Sequence, residues 1–258
     1  MVGDIRNIII IQSLNGNEKP TGKEIYEDLI APYIKYRQVE KIKMNYAFHD
    51  IQTKNHFLEI LKFYIVNAPY QVGGILIHFE MHGAENLTGL ILADNSLVLW
   101  EEMVDLLREI NIISKNNLYI TMATCFGRMM YKGVDQRKKS PYSGYFSASK
   151  EVTVGEIMGD FRIIFEALLE SGNFIKAHFR LEEEGSKKFF YMDSKRVFEL
   201  NFEAFKNNPN YKKQVLQSAA KTVNSNGGDI DPEDYLSGKI YDISLKKVYQ
   251  EQLNNFEF

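Results

Sequence analysis

Read for its spacing of hydrophobic and polar positions, the chain alternates between short apolar runs and helical stripes. The isoleucine run at 8–11 is continuously apolar, the pattern of a strand buried on both faces. Thr21 and Glu24 fit a capping box, and Ile25, Leu29, Tyr33 and Ile34 follow at helical spacing. Pro32 predicts a kink or a stop in that helix. Ile42, Met44, Tyr46 and Phe48 alternate with polar residues as a second strand. Phe57, Ile60, Leu61, Tyr64 and Ile65 make a helical stripe, and 75–79 a third strand after Gly73-Gly74. Residues 87–92 and 97–99 flank Asp94-Asn95 as a small hairpin. Trp100, Met103, Leu107 and Ile110 line the next helix, 118–122 is a fourth strand and 142–148 a fifth. Thr153 and Glu156 repeat the capping-box pattern ahead of the clearest helix, which runs from Val154 to a stop near Gly172. Residues 176–181 and 188–192 read as a hairpin around Glu184-Gly185.

Strands alternating with helices predict βαβ units and a mostly parallel sheet, hence an α/β domain. Beyond residue 200 Asn, Lys and Gln become frequent and the apolar periodicity weakens. The expected organisation is a domain over 1–200 and a helical C-terminal extension over 201–258.

Composition narrows the function classes. A net charge of −3 gives no general attraction to nucleic acid or anionic lipid. No apolar run is long enough to span a bilayer, and the opening MVGDIRNIIII lacks the build of a secretory signal. The single cysteine allows no intramolecular disulfide, which fits a cytoplasmic protein.

Parallel sheets place ligands and chemistry just beyond the carboxyl ends of their strands. Two strands here end in a reactive residue, one at His82-Gly83 and one at Thr124-Cys125, 43 residues apart from His82 to Cys125. One helix and one hairpin fit between them, so the strands are expected to be neighbours. A thiolate is a strong nucleophile, and an adjacent imidazole can take its proton and later protonate a leaving amine. The turn after Cys125 can offer amides to negative charge, and Gly83 permits close backbone approach to an oxyanion.

A hydrophobic strand ending in His-Gly, followed by a second ending in a small residue and Cys, resembles the caspase-like (clan CD) cysteine peptidases. The resemblance covers the order of elements over roughly residues 5–200 and is specific around His82-Gly83 and Cys125. Against the signature Gln-Ala-Cys-[Arg/Gln/Gly]-Gly, the segment Ala123-Thr124-Cys125-Phe126-Gly127 keeps only the Cys and the second Gly. The chain is therefore nearer to bacterial caspase-like and CHAT-type peptidases than to animal caspases. The resemblance implies a three-layer α-β-α sandwich with a mostly parallel six-stranded sheet. It implies a cysteine endopeptidase acting on a protein or peptide substrate, with His82 and Cys125 as the catalytic dyad and the amides of Gly83 and Cys125 as the oxyanion hole. It also implies a substrate pocket near Ser147 and Ser149, no cofactor and no metal. Arg6, Asp94 and Arg128 are the candidates for its charged specificity group. The family's company points to a bacterial defence or signalling role. A peptidase that was always active would be harmful, which predicts gating by a partner or ligand, with 128–141 and 201–258 as candidate segments.

Other features read more plainly. His78, inside its strand, reads as a satisfied structural histidine. A metal pair with His82 is disfavoured because four-residue spacing converges on a helix, not a strand. Asp229, Asp231 and Glu233 lack the register of a calcium loop. The basic segment at 128–141, with Asp135 as a candidate cleavage point, reads equally as an exposed loop or a processing loop. The competing functions are an inactive scaffold of the same fold and a ligand-sensing module. The second is weakened by the lack of a Gly-rich phosphate loop.

Overall fold

The computed structural model of the protein describes residues 3–37, 42–186, 188–208, 210 and 239–258. Asp229, Asp231 and Glu233, and half of the 201–258 segment, lie outside the described residues. The chain divides into two compact units, Met1–Val134 with Ser140–Ser194, and Asp135–Lys139 with Lys195–Phe258.

The first unit is an α/β fold around a mostly parallel sheet. Its strands are β1 (Ile5–Ser13), β2 (Asn45–Asp50), β3 (Gly74–Gly83), β4 (Gly89–Ile91), β5 (Leu97–Leu99), β6 (Leu118–Ala123), β7 (Gly144–Ala148) and β8 (Phe189–Asp193). The main ladder runs β2-β1-β3-β6-β7-β8; every neighbouring pair is parallel except β7 with β8. The sheet counts eight strands against an expected six, because β3 runs on past its parallel partners and pairs antiparallel with β4, which pairs with β5. The central strands β1, β3 and β6 are buried almost throughout, as their continuous apolar runs require. Edge strand β2 has no buried residue, its positions being exposed or half-buried.

Helices cover both faces, compatible with a three-layer sandwich. On one face, α5 (Val154–Ser171) and α6 (Phe174–Glu183) share a core with Ile8, Ile10, Leu76 and Phe146. On the other lie α3 (Lys54–Asn67) and α4 (Trp100–Ile113), with Phe57 of α3 against Phe79, ring centroids 5.8 Å apart. The Thr153 and Glu156 capping box forms at the start of α5, and Gly172 ends the helix at φ 67°.

Three local expectations need correction. Residues 176–181 are not a strand. They lie in α6, where Asn173 caps Lys176 and Phe174, Ala177 and Leu181 are buried at helical spacing. Strand β8 pairs with β7 instead. Thr21 and Glu24 form no capping box. Thr21 is buried inside the first turn of α1 (Thr21–Ile25), Pro20 holds the cap position, and the Glu24 carboxylate pairs with Lys19 at 3.1 Å. Nor does Pro32 stop its helix. A π-helical turn at Tyr26–Ile30 precedes α2 (Ala31–Tyr36) and accommodates the missing N–H.

The described part of the second unit contains α7 (Ser194–Lys206) and α8 (Lys239–Phe256). Phe198 gathers Phe202, Tyr249 and Phe256 within ring-contact distance. Gln136 donates to the Phe198 carbonyl at 2.8 Å and Lys139 to the Glu257 carbonyl, so 135–139 packs with these helices. No helix among the described residues is long and apolar enough to cross a membrane.

Candidate active site

The register of two neighbouring strands brings His82 and Cys125 together. In the parallel pair β3–β6, Glu80 lies opposite Ala123. His82 and Cys125 are each two residues further on, so they emerge at the same height at the carboxyl edge of the sheet. Strand β6 ends there, and the chain turns through Phe126, a non-glycine residue at φ 57°. Such a left-handed residue is strained and recurs at turns that present functional groups. The two strand tips touch. A Cβ added to Gly83 would lie 2.0 Å from the Cys125 carbonyl oxygen, so only glycine fits at that position.

Each reactive side chain has its own partner. His82, half exposed, is 2.7 Å through Nε2 from Oε1 of Glu18, in the loop after β1. Burial works against the Glu18 charge, yet the Asn15 N–H and His82 hold its carboxyl below the usual carboxylate range. The Cys125 sulfur accepts from the Val152 N–H at 3.4 Å and also lies near the Val152 carbonyl. No hydrogen bond joins His82 to Cys125 among the described residues, an arrangement common in catalytic pairs before substrate arrives. The two side chains share one cavity of about 280 Å³. A second groove of about 540 Å³ is lined by His82, Gly83, Glu85 and Asn86.

Backbone donors are also present at the junction. Among the described residues the Cys125 N–H has no acceptor. Ala84 donates to Gly89 across the β3–β4 pair, which makes Gly83 opposite Leu90 a non-hydrogen-bonded pair and turns the Gly83 N–H out of that ladder.

Beneath His82 and Cys125 lies a buried polar network. His78 has both ring nitrogens occupied, by Thr121 Oγ1 at 2.9 Å and Glu80 Oε2 at 3.3 Å. Its ring packs edge-on against Phe161 and Phe165. Burial raises the Glu80 carboxyl, with His78 pulling the other way. Among the described residues no group of three His, Cys, Asp or Glu is placed to hold a metal ion.

The residues expected at the substrate pocket lie elsewhere. Ser147 is buried in β7 with no partner for its Oγ among the described residues. Arg128 sits in the 3-10 turn Gly127–Gly133, its carbonyl accepting from Tyr145. Neither they nor Ser149 line the cavity that holds His82 and Cys125. Arg6 pairs with Asp4 at the start of β1, the opposite end of the sheet, and Asp94 accepts from Ser96 in the hairpin turn. Instead the cavity holds Glu18, which the sequence pattern does not single out, and Glu80, which the pattern offers only as a third ligand to the disfavoured His78–His82 metal pair. Glu80 carried a signal, since it is two residues before His82 on the same strand and so on the same face. Glu18 carried none, because only the fold closes the 64 residues between it and His82.

Compared with known proteins, the chain matches no family model and no curated sequence. Its chemistry therefore rests on its own residues.

Proposed function

We propose that the protein is a cysteine endopeptidase of the caspase-like kind, with Cys125 as nucleophile and His82 as general base. The observation that carries this reading is the β3–β6 register, which sets an imidazole and the only cysteine side by side on one cavity at the chemically active edge of a parallel sheet. With Nε2–H donating to the Glu18 carboxylate, the neutral ring keeps its lone pair on Nδ1. That nitrogen takes the Cys125 proton. The sulfur attacks the substrate carbonyl, a C–S bond forms, and the oxyanion meets the Gly83 and Cys125 amides. The imidazolium protonates the amine as the C–N bond breaks. Water then attacks the acyl-enzyme, gives a proton to His82, and the thiol is restored as the acid leaves. Glu18 is a positioning residue, holding the ring through Nε2. The cavity and the groove, both lined by His82, provide room for substrate around the scissile bond.

Gating follows from the same arrangement. Imidazole and thiol are each bonded elsewhere, so activity requires a small rearrangement of the tips. Within the candidate segment 128–141, residues 135–139 begin ten residues after Cys125 and pack with α7 and α8. A role in a bacterial defence or signalling system accords with an activity held in check in this way. The test is cleavage of a peptide library by the full chain, with and without lysate from its own source. Cleavage by wild type that is lost in Cys125→Ala supports the reading; cleavage that Cys125→Ala retains overturns it.

A further inference from the structure

The cavity beside Cys125 is built to take one side chain, and the composition of its lining identifies which kind. Its walls include Leu14, Met81, Val152 and Ile157, apolar surfaces suited to a methylene stem. Its volume of about 280 Å³ is below the range of drug-sized ligand sites and fits a single residue. Its one deeply buried charged group is Glu80, whose side chain is 2 % exposed. Only Oε2 of that carboxylate is engaged, by His78 at a long 3.3 Å. The contact to His78 is the one side-chain hydrogen bond found for this carboxylate among the described residues, and Glu80 is part of the cavity lining. Helix α1 closes over the other edge: a Cβ at Gly22 would lie 3.1 Å from Oε2, so the backbone there lies directly on the carboxylate. Buried carboxylates are normally paired or fully hydrogen-bonded. One left half satisfied and facing a cavity is waiting for a donor.

The remaining charges point the same way. Lys19, also on the lining, is committed to Glu24 at 3.1 Å, and Glu18 is committed to His82 at 2.7 Å. Three carboxylates, Glu18, Glu24 and Glu80, thus stand against one lysine, with His78 and His82 the only other ionisable partners among them. An acidic ligand would find no uncommitted cation at this floor, whereas a cationic one completes it.

We propose that Glu80 is the specificity residue of this cavity and that the cavity receives a lysine or arginine side chain, the residue whose carbonyl Cys125 attacks. Attack by Cys125 on that residue's carbonyl rests on the peptidase reading; recognition of a cationic side chain does not. A guanidinium or ammonium group donates to Oε1, and its stem lies along the apolar walls.

Two readouts separate the inference from the reading beneath it. The first is the protection of Cys125 from iodoacetamide by agmatine, a guanidinium on a short methylene chain, followed by intact mass. Agmatine is expected to slow labelling of wild type and not of Glu80→Gln, a near-isosteric change that preserves the contact to His78. The second is kcat/KM on peptides that differ only in the residue before the scissile bond. Lys and Arg peptides are expected to be preferred, and Glu80→Gln to lose that preference by about 10²-fold or more. Equal agmatine protection in the two proteins, or none in either, overturns the inference. So does cleavage after acidic or neutral residues that ignores the Glu80 change, which leaves the peptidase reading standing. Agmatine protection that depends on Glu80, without hydrolysis of any peptide, keeps the inference and removes the peptidase reading.

Discussion

Replacing Gly83 by alanine tests the contact between the two strand tips. The added Cβ would sit 2.0 Å from the Cys125 carbonyl oxygen and 3.1 Å from its carbon. A carbon and a carbonyl oxygen settle no closer than about 3.3 Å, so the tips must part by roughly 1.3 Å. Both atoms are backbone, and no side chain can swing aside to absorb the strain. A misplacement of about 1 Å at a reacting pair costs on the order of 10²-fold in rate, or about 2.7 kcal/mol of barrier. Overpacking should also lower stability by about 1–3 kcal/mol. A control on the same strand separates the two effects. At Gly74 a Cβ would lie 2.2 Å from the Asp4 carbonyl oxygen, the same kind of clash at the opposite end of β3. Gly74→Ala should therefore cost comparable stability and leave Cys125 chemistry intact. The assay is the rate of carboxamidomethylation followed by intact mass, unambiguous because the chain has one cysteine, alongside urea denaturation. Wild-type labelling and hydrolysis in Gly83→Ala, or equal losses in the two variants, would refute the geometry.

Glu18→Gln removes the charge that holds His82 while keeping its size. It should lower kcat by about 10- to 100-fold with little change in KM. Because the Glu18 carboxyl titrates below the usual range, its charge-assisted hydrogen bond from His82 should survive mild acid and weaken as pH falls through that depressed value. Glu80 has the opposite sign. Its carboxyl is raised by burial, so its charge costs stability as pH rises through the unfolded value of about 4.3. Glu80→Gln should therefore raise the melting temperature at neutral pH, a gain that vanishes in acid below that value; an equal gain at both pH values would count against the burial account. Thr153→Ala removes the cap that accepts from the Glu156 N–H and should cost about 1 kcal/mol in chemical denaturation, without touching labelling of Cys125. Gly159→Ala, in open space on α5, should gain about 0.5–1 kcal/mol in the same measurement.

Much of the sheet was legible because its signals are local. The isoleucine run at the start predicts a central strand, and β1 lies between two parallel neighbours. The capping box at Thr153 and the glycine stop at Gly172 fix α5 at both ends. Where two periods compete, pattern reading fails. Residues 176–181 satisfy an alternating template and a helical one, and the buried face of Phe174, Ala177 and Leu181 decides for the helix. Thr21 looks like a cap, but tertiary burial claims its side chain and Pro20 takes the position. At the site, the two reactive residues were readable because each ends its own strand. Their surroundings were not. Glu18, the Val152 amide and the walls of the cavity come from loops and helices that only the fold brings to the sheet edge. Of the charged candidates, Arg6 lies at the start of β1, because a charge in a sequence does not say which end of a strand it will occupy.

The most direct test of the dyad is the rate at which a peptidyl acyloxymethyl ketone modifies the full-length chain, compared between wild type and His82→Ala. Paired function predicts a single adduct, mapped to Cys125, whose formation slows by about 10²-fold or more when the imidazole is removed. An adduct that forms equally fast in both proteins would contradict it.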